Sequence, residues 1–194
     1  MIVGAVILIA TALDQWASDG FSEEVATVGP IPDAPGTLPI DDVGSPSGTR
    51  PDGFTTIQAR ITAANGEVCE VCLWLADDSD ERARGLMGVT DLGDAVGMAF
   101  VFEDTRLGTF WMFETPTPLS IAWFAGAGEE LVGTADMEPC VGVPRSWCRR
   151  YSPEFGYDLA IEVPQRGLEA LGITAGSSVR LIEGTEAERC PVGP

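Results

Sequence analysis

Between residues 54 and 76 the chain reads as two strand-like apolar runs, 54–63 and 67–76, the second (VCEVCLWLA) alternating clearly. Asn65-Gly66 between them is the strongest short hairpin signal in the sequence. Asp78 can cap a helix and Glu81, three residues on, completes a capping box. A helix is therefore predicted over 79–86, presenting Ala83, Leu86 and Met87 inward. Strand patterns follow at 97–103, 108–114, 119–124 and 130–136, the last two joined through residues 125–128. Residues 137–156 read as a long loop and 157–163 as another strand. Pro164 then occupies a first-turn helix position, Leu168 and Leu171 share a face, and Gly172 ends the helix. A last strand is predicted over 177–183. Seven or eight short strands with two short helices predict an α+β, mostly β domain, compact and barrel-like, without internal repeats.

The ends of the chain follow different patterns. Residues 1–13, MIVGAVILIATAL, form an apolar run. As a helix at about 1.5 Å per residue it falls short of a bilayer core of roughly 30 Å. It suits a signal-peptide core, with Ala10-Thr11-Ala12 as a small-x-small cleavage pattern, or the end of a longer membrane anchor. Residues 14–53 are rich in Pro, Gly, Asp, Ser and Thr without apolar periodicity and read as a disordered acidic linker. The folded domain is expected over 54–183 and a short tail over 184–194.

Composition removes more chemistry than it adds. The chain has 30 acidic residues against 11 arginines, with neither Lys nor His. Residues 54–183 alone carry 20 acids and 9 arginines, a net charge of −11, so the acidity belongs to the folded part. Such a surface repels phosphate backbones and argues against nucleic-acid binding. Without His or Lys there is no Ser-His-Asp triad, Cys-His dyad, Ser-Lys pair or Schiff-base lysine. His-ligated metal sites are excluded too. Carboxylates, Tyr, Cys, Arg and a carboxylate-bound metal remain. The acidic groups 77–81, 103–104 and 136–138 lack Ca²⁺-loop spacing, and none sits in the isolated apolar setting that suits an acid catalyst. No metal site or cofactor is assigned.

The five cysteines are Cys69, Cys72, Cys140, Cys148 and Cys190. Cys69 and Cys72 have C-x-x-C spacing but lie within one alternating strand, which puts them on opposite faces and argues against a redox pair. A Cys140–Cys148 disulfide closing a short loop is expected, with Cys69 or Cys72 bridging to Cys190 and one thiol left over. Disulfides agree with an extracytoplasmic location, secreted or membrane-anchored.

Three short signatures crowd into residues 84–124. They are Arg84-Gly85-Leu86-Met87, then Gly97-Met98 with Phe100 and Phe102, then Phe110-Trp111-Met112 leading through Thr115 to Pro118-Leu119. Together with Ile121, Pro139-Cys140, Cys148, Tyr151 and the 160–163 strand bearing Glu162, they resemble the family called domain of unknown function 192, DUF192, over roughly residues 68–183. The resemblance implies a compact, β-rich bacterial or archaeal protein, often with an export signal, and brings no reaction, substrate or cofactor. This chain departs from the family at two places. It has Phe113-Glu114 where the family typically has Lys-Asn, and Ser120 where it typically has Asp.

Most of these residues read as turn and core. The candidate ligand patch is Arg84, Trp111, Met112, Glu114, Thr115 and Ser120. The forked donors of Arg84 suit an anion, although a helix-end Arg more commonly caps carbonyls or pairs with a carboxylate. Glu114, Thr115 and Ser120 are expected to form a polar cluster at a strand end. The resulting expectation is an exported or membrane-tethered envelope domain, monomeric, that binds a partner or small ligand without catalysis. The alternative is a carboxylate- or metal-dependent hydrolase acting on an envelope polymer.

Overall fold

The computed structural model describes residues 48–182 and residue 184. The predicted leader or anchor, residues 14–47 of the predicted linker, and residues 185–194 of the tail, with Cys190, lie outside the described residues.

Nine strands are present among the described residues: β1 Thr55–Thr62, β2 Val68–Ala76, β3 Gly97–Arg106, β4 Phe110–Trp111, β5 Leu119–Ala125, β6 Glu130–Met137, β7 Arg150–Tyr151, β8 Tyr157–Pro164 and β9 Ser178–Ile182. Two short helices accompany them, α1 Ser79–Arg84 and α2 Gly167–Ala170. Seven strands make one sheet in the order β6-β5-β8-β3-β2-β1-β9, and β4 pairs with β7 in a separate ribbon. All pairs in the large sheet are antiparallel except β2–β3, which α1 and the following loop connect as a parallel crossover.

The fold class is the expected α+β, mostly β, and the barrel is open. No ladder joins β6 to β9. Instead Val179 N–H donates to the Gly128 carbonyl at 2.8 Å, drawing the β5–β6 turn onto β9. Gly128 has φ +98°, and a Cβ there would stand 2.0 Å from the Val179 carbonyl oxygen, so this contact requires glycine. Strand alternation divides the apolar residues into two cores. One face buries Ala59, Ile61, Leu73, Ala99, Phe124, Leu159, Ile161 and Val163, joined by Leu168 of α2. The other buries Trp74, Met98, Phe100, Ile121, Trp123 and Tyr157 beneath Leu86, Val89 and Met112. Burying each Leu, Ile, Val, Phe or Met among them contributes about 1.5–3 kcal/mol.

Several predicted boundaries change. The domain begins before residue 54: Thr49 accepts from Thr90 N–H and Asp91 N–H, and Arg50 pairs with Asp91 at 2.8 Å. The Asp78–Glu81 capping box forms as expected, but α1 ends at Arg84, Ala83 is exposed, and Leu86 lies in the turn beyond. The 108–114 strand shrinks to two residues because Glu114 turns the chain at φ +51°. Residues 137–156 contain β7 and a single 3-10 turn, Arg145–Trp147. Pro164 ends β8 opposite Leu119 rather than starting the second helix, which begins at Gly167.

Cys140 and Cys148 form the expected disulfide, with an S–S distance of 2.06 Å. Cys72 is also disulfide-bonded; its expected partner, Cys190, lies outside the described residues. Cys69 is free and packs against the opposite core. The C-x-x-C spacing is therefore not a redox pair.

Candidate functional site

Two glycines bring the conspicuous motifs together. Gly85, at φ +48° and ψ −134°, follows α1 with its N–H on the Glu81 carbonyl. A Cβ there would press to 3.1 Å from the Phe100 ring, so the glycine lets the Arg84–Met87 turn lie directly on β3. At Gly97 a Cβ would fall 2.1 Å from the Glu162 carbonyl oxygen. Backbone contact at this point sets β3 against β8, with Met98 opposite Glu162. The Gly88 N–H donates to the Glu114 carbonyl at 2.7 Å and ties the turn to the segment after β4.

Between the α1 turn, β3, β4 and β8 these contacts leave a cleft of about 360 Å³. Phe100, Phe102, Phe110, Trp111 and Tyr157 supply much of its aromatic wall, and Thr115 and Glu162 its buried polar groups. Among the described residues Glu162 is the sole acidic side chain in the lining. It is 4% exposed, and no hydrogen-bond partner faces its carboxyl among the described residues. Desolvation pushes its pKa up from 4.5 to about 8, so the group is largely uncharged at neutral pH. Burial also raises the Tyr157 hydroxyl, against a smaller opposing effect from Arg106.

The rim is basic. Arg82, Arg84 and Arg106 line the cleft. Arg84 lies over the Phe54 ring at 4.3 Å; Arg82 and Arg106 lie over Phe102 at 5.1 and 4.6 Å. On the β4–β7 ribbon Arg145 and Arg150 stack on Trp111 at 4.7 and 3.6 Å. Such contacts contribute about 0.5–1 kcal/mol each at exposed sites. Arg82 also donates to the Asp77 and Val101 carbonyls, a structural tie. A larger depression of about 650 Å³ lies over β1, β9 and the β5–β6 turn and shares only Phe102 with the motif residues. Its charged lining mixes both signs: Arg60 and Arg180 with Glu103, Glu129 and Asp158.

The six patch residues separate. Arg84, Trp111 and Thr115 share the cleft. Met112 is core, 1% exposed. Glu114 does not alternate with Phe110 and Met112, because its left-handed backbone swings it to the surface. There its carboxylate accepts from Gly142 N–H at 3.4 Å and braces the disulfide loop. Ser120 is on the other face of β5, where its hydroxyl donates to Asp136 and accepts from Arg166 N–H at 2.9 Å. The polar cluster expected of Glu114, Thr115 and Ser120 therefore does not form. Among the described residues Arg84 neither caps α1 nor meets a carboxylate. Gly85, Leu86, Met87, Phe100, Phe102 and Phe110 all border the cleft, whereas Leu119 and Met98 are core, Tyr151 is buried beneath the ribbon, and Pro118 is exposed.

Glu162 is the candidate site residue that reading by motif undervalues. Its signal was present: an acid amid the apolar residues of 159–163, at a core-facing position of an alternating strand.

The family model of DUF192, described as "Uncharacterized ACR, COG1430", matches residues 60–181. The chain belongs to this family. Its DUF192 fold recurs in a crystal structure of a protein of unknown function from Novosphingobium aromaticivorans DSM 12444. That protein is 25% identical, with TM-score 0.55 over 75% of this chain and 99% of the other. A Sinorhizobium meliloti 1021 protein, described as a candidate transcription regulator, shares the fold at 24% identity and TM-score 0.56, over 66% of this chain and 95% of the other. No curated protein matches the chain.

Proposed function

We propose that this DUF192 protein is an exported or membrane-tethered envelope domain that binds a small ligand in the cleft over Glu162. The observation that carries the reading is convergence. Motif residues scattered from Arg84 to Glu162 border one concavity, and its floor holds a buried carboxyl without a protein partner. A cleft of this size, with an aromatic wall and several polar groups facing one space, falls within the volume range of small-molecule sites. Binding is favoured over hydrolysis because a two-carboxylate mechanism needs a second acid, and the cleft wall carries one. The Cys140–Cys148 disulfide and the bonded Cys72 support an oxidising compartment.

Fragment screening of the full chain by NMR tests the site. Hits are expected to shift resonances of Arg84, Phe100, Trp111, Thr115 and Glu162; hits confined to other surfaces, or none at all, would remove the reading. Export is tested separately by fusing residues 1–53 to a reporter active only outside the cytoplasm. A silent fusion, with the protein recovered in the cytosolic fraction, would count against it.

A further inference from the structure

Acidic residues outnumber arginines nearly three to one, yet among the described residues only Arg50 and Arg60 form ion pairs, with Asp91 and Glu70 at 2.8 and 2.6 Å. What sets the cleft apart is that three of the arginines without an ion pair, Arg82, Arg84 and Arg106, converge on one concavity. Among the described residues no carboxylate comes within ion-pair distance of Arg82, Arg84 or Arg106, or of Arg145 and Arg150 on the outer ribbon. These guanidinium groups lie on aromatic rings instead. Arg82 and Arg106 share the Phe102 ring, which puts two like charges within about 10 Å of each other. Like charges at that separation repel, and among the described residues neither has an ion-pair partner.

From this geometry we infer that the cleft takes a small molecule bearing an oxyanion, carboxylate or phosphate, held by Arg84 and Arg106. A second, uncharged acceptor atom of the ligand meets the Glu162 carboxyl. The inference rests on the ligand-binding reading above and names its ligand class. A guanidinium held over a ring keeps its edge N–H groups for an acceptor, and that fork matches carboxylate and phosphate oxygens. Arg82 spends one nitrogen on backbone carbonyls, so Arg84 and Arg106 are the free forks. Glu162 completes the logic. An ionised acid at the floor would repel an oxyanion, whereas the desolvated, protonated group adds no charge and donates an O–H into the cleft. The aromatic wall of Phe100, Phe110 and Trp111 receives the apolar body of the ligand.

The test is titration of the full-length protein by NMR and calorimetry at constant ionic strength. The probes are inorganic phosphate, acetate and 2-hydroxybutyrate, with the matched amides as neutral controls. The oxyanion probes are expected to shift Arg84, Phe102, Arg106 and Glu162 resonances and the amides to bind at least tenfold more weakly. Stronger binding of phosphate than of the carboxylates would assign the oxyanion to phosphate, and the reverse order to carboxylate. The Arg84→Gln/Arg106→Gln double variant should lose at least tenfold in affinity, while Arg60→Gln, away from the cleft, should lose none. Arg106→Lys keeps the charge but not the fork and should fall between. Thermal unfolding of each variant separates lost binding from lost folding. If the amides and neutral fragments shift cleft resonances while the oxyanions do not, the ligand class is wrong and the binding cleft stands. If neither moves them, both fail. Equal oxyanion affinity in the folded double variant overturns the inference outright.

Discussion

Replacing Glu162 with glutamine exposes the energetic cost of the cleft floor. The carboxyl is buried and its pKa is raised from 4.5 to about 8. Between those values the folded protein keeps a proton that the unfolded chain has released. The native state therefore binds more protons than the unfolded state across this window, and stability falls as pH rises through it, levelling off above about 8. At about 1.4 kcal/mol per pKa unit, the loss reaches about 3 kcal/mol at pH 7 and about 4–5 kcal/mol by pH 8.5. Glutamine has nearly the same shape and carries no titrating proton, so Glu162→Gln removes the slope.

Urea unfolding followed by tryptophan fluorescence, without reductant and at pH values from 5 to 8.5, measures the difference. The variant should lie within about 1 kcal/mol of the parent at pH 5 and become the more stable protein by about 3 kcal/mol at pH 7. Asp91, whose carboxyl Arg50 holds below its usual value, contributes stability that is lost at acid pH. It is common to both proteins and cancels in the comparison. Parallel stability curves for parent and variant would refute the argument, because Glu162 would then ionise as an exposed carboxylate does.

Three other perturbations follow from backbone geometry. Glu114→Asn should raise the thermal midpoint by about 2–4 °C, because Asn tolerates the left-handed backbone at φ +51° better than Glu and little is lost with the long Gly142 contact; an unchanged or lower midpoint in calorimetry would contradict this. Gly97→Ala should cost about 3 kcal/mol or more, or prevent soluble expression, since its Cβ would overlap the Glu162 carbonyl; a variant with parental urea midpoint would show that β3 and β8 can separate. Removing the disulfide with Cys140→Ala/Cys148→Ala should cost about 2–3 kcal/mol from the loop it closes, read from urea midpoints.

The elements legible in the sequence are those set by local physics. Asn65-Gly66 supplies a left-handed turn at Gly66, φ +85°, and the Asp78–Glu81 box satisfies orphan N–H groups within one helical turn. Both needed only neighbouring residues. The parallel β2–β3 pair was not legible, because its register joins Leu73 to Gly97 across a crossover. β7 and its pairing with β4 are illegible for a related reason: a two-residue strand carries no periodicity, and Phe110 meets Tyr151 only because the disulfide loop folds back. At Glu114 the alternation rule itself failed, since one residue at positive φ reverses every side chain after it. Half the candidate patch lies elsewhere, Met112 in the core, Glu114 at the surface and Ser120 on the other face of β5, while Arg84, Trp111 and Thr115 share the cleft, Thr115 by way of the Glu114 turn.

The departures from the DUF192 pattern acquire a different weight once they are placed. Loss of the typical Lys-Asn and Asp would weaken any function resting on those side chains, yet none of the three replacements lines the cleft. Ser120 is on the opposite face of β5. Glu114 is at the surface, where its backbone conformation is one that Asn adopts more easily, so Asn there serves the turn rather than chemistry. Phe113 packs its ring 6.2 Å from Trp111 and 5.0 Å from the Arg145 guanidinium. That substitution removes a cation from the ribbon and adds an aromatic surface beneath a cation already present. The changes therefore remodel the support of the ribbon and leave Arg84, Arg106, Thr115 and Glu162 in place. A function shared across the family through the cleft is compatible with this chain's sequence; one that relied on the missing Lys or Asp is not.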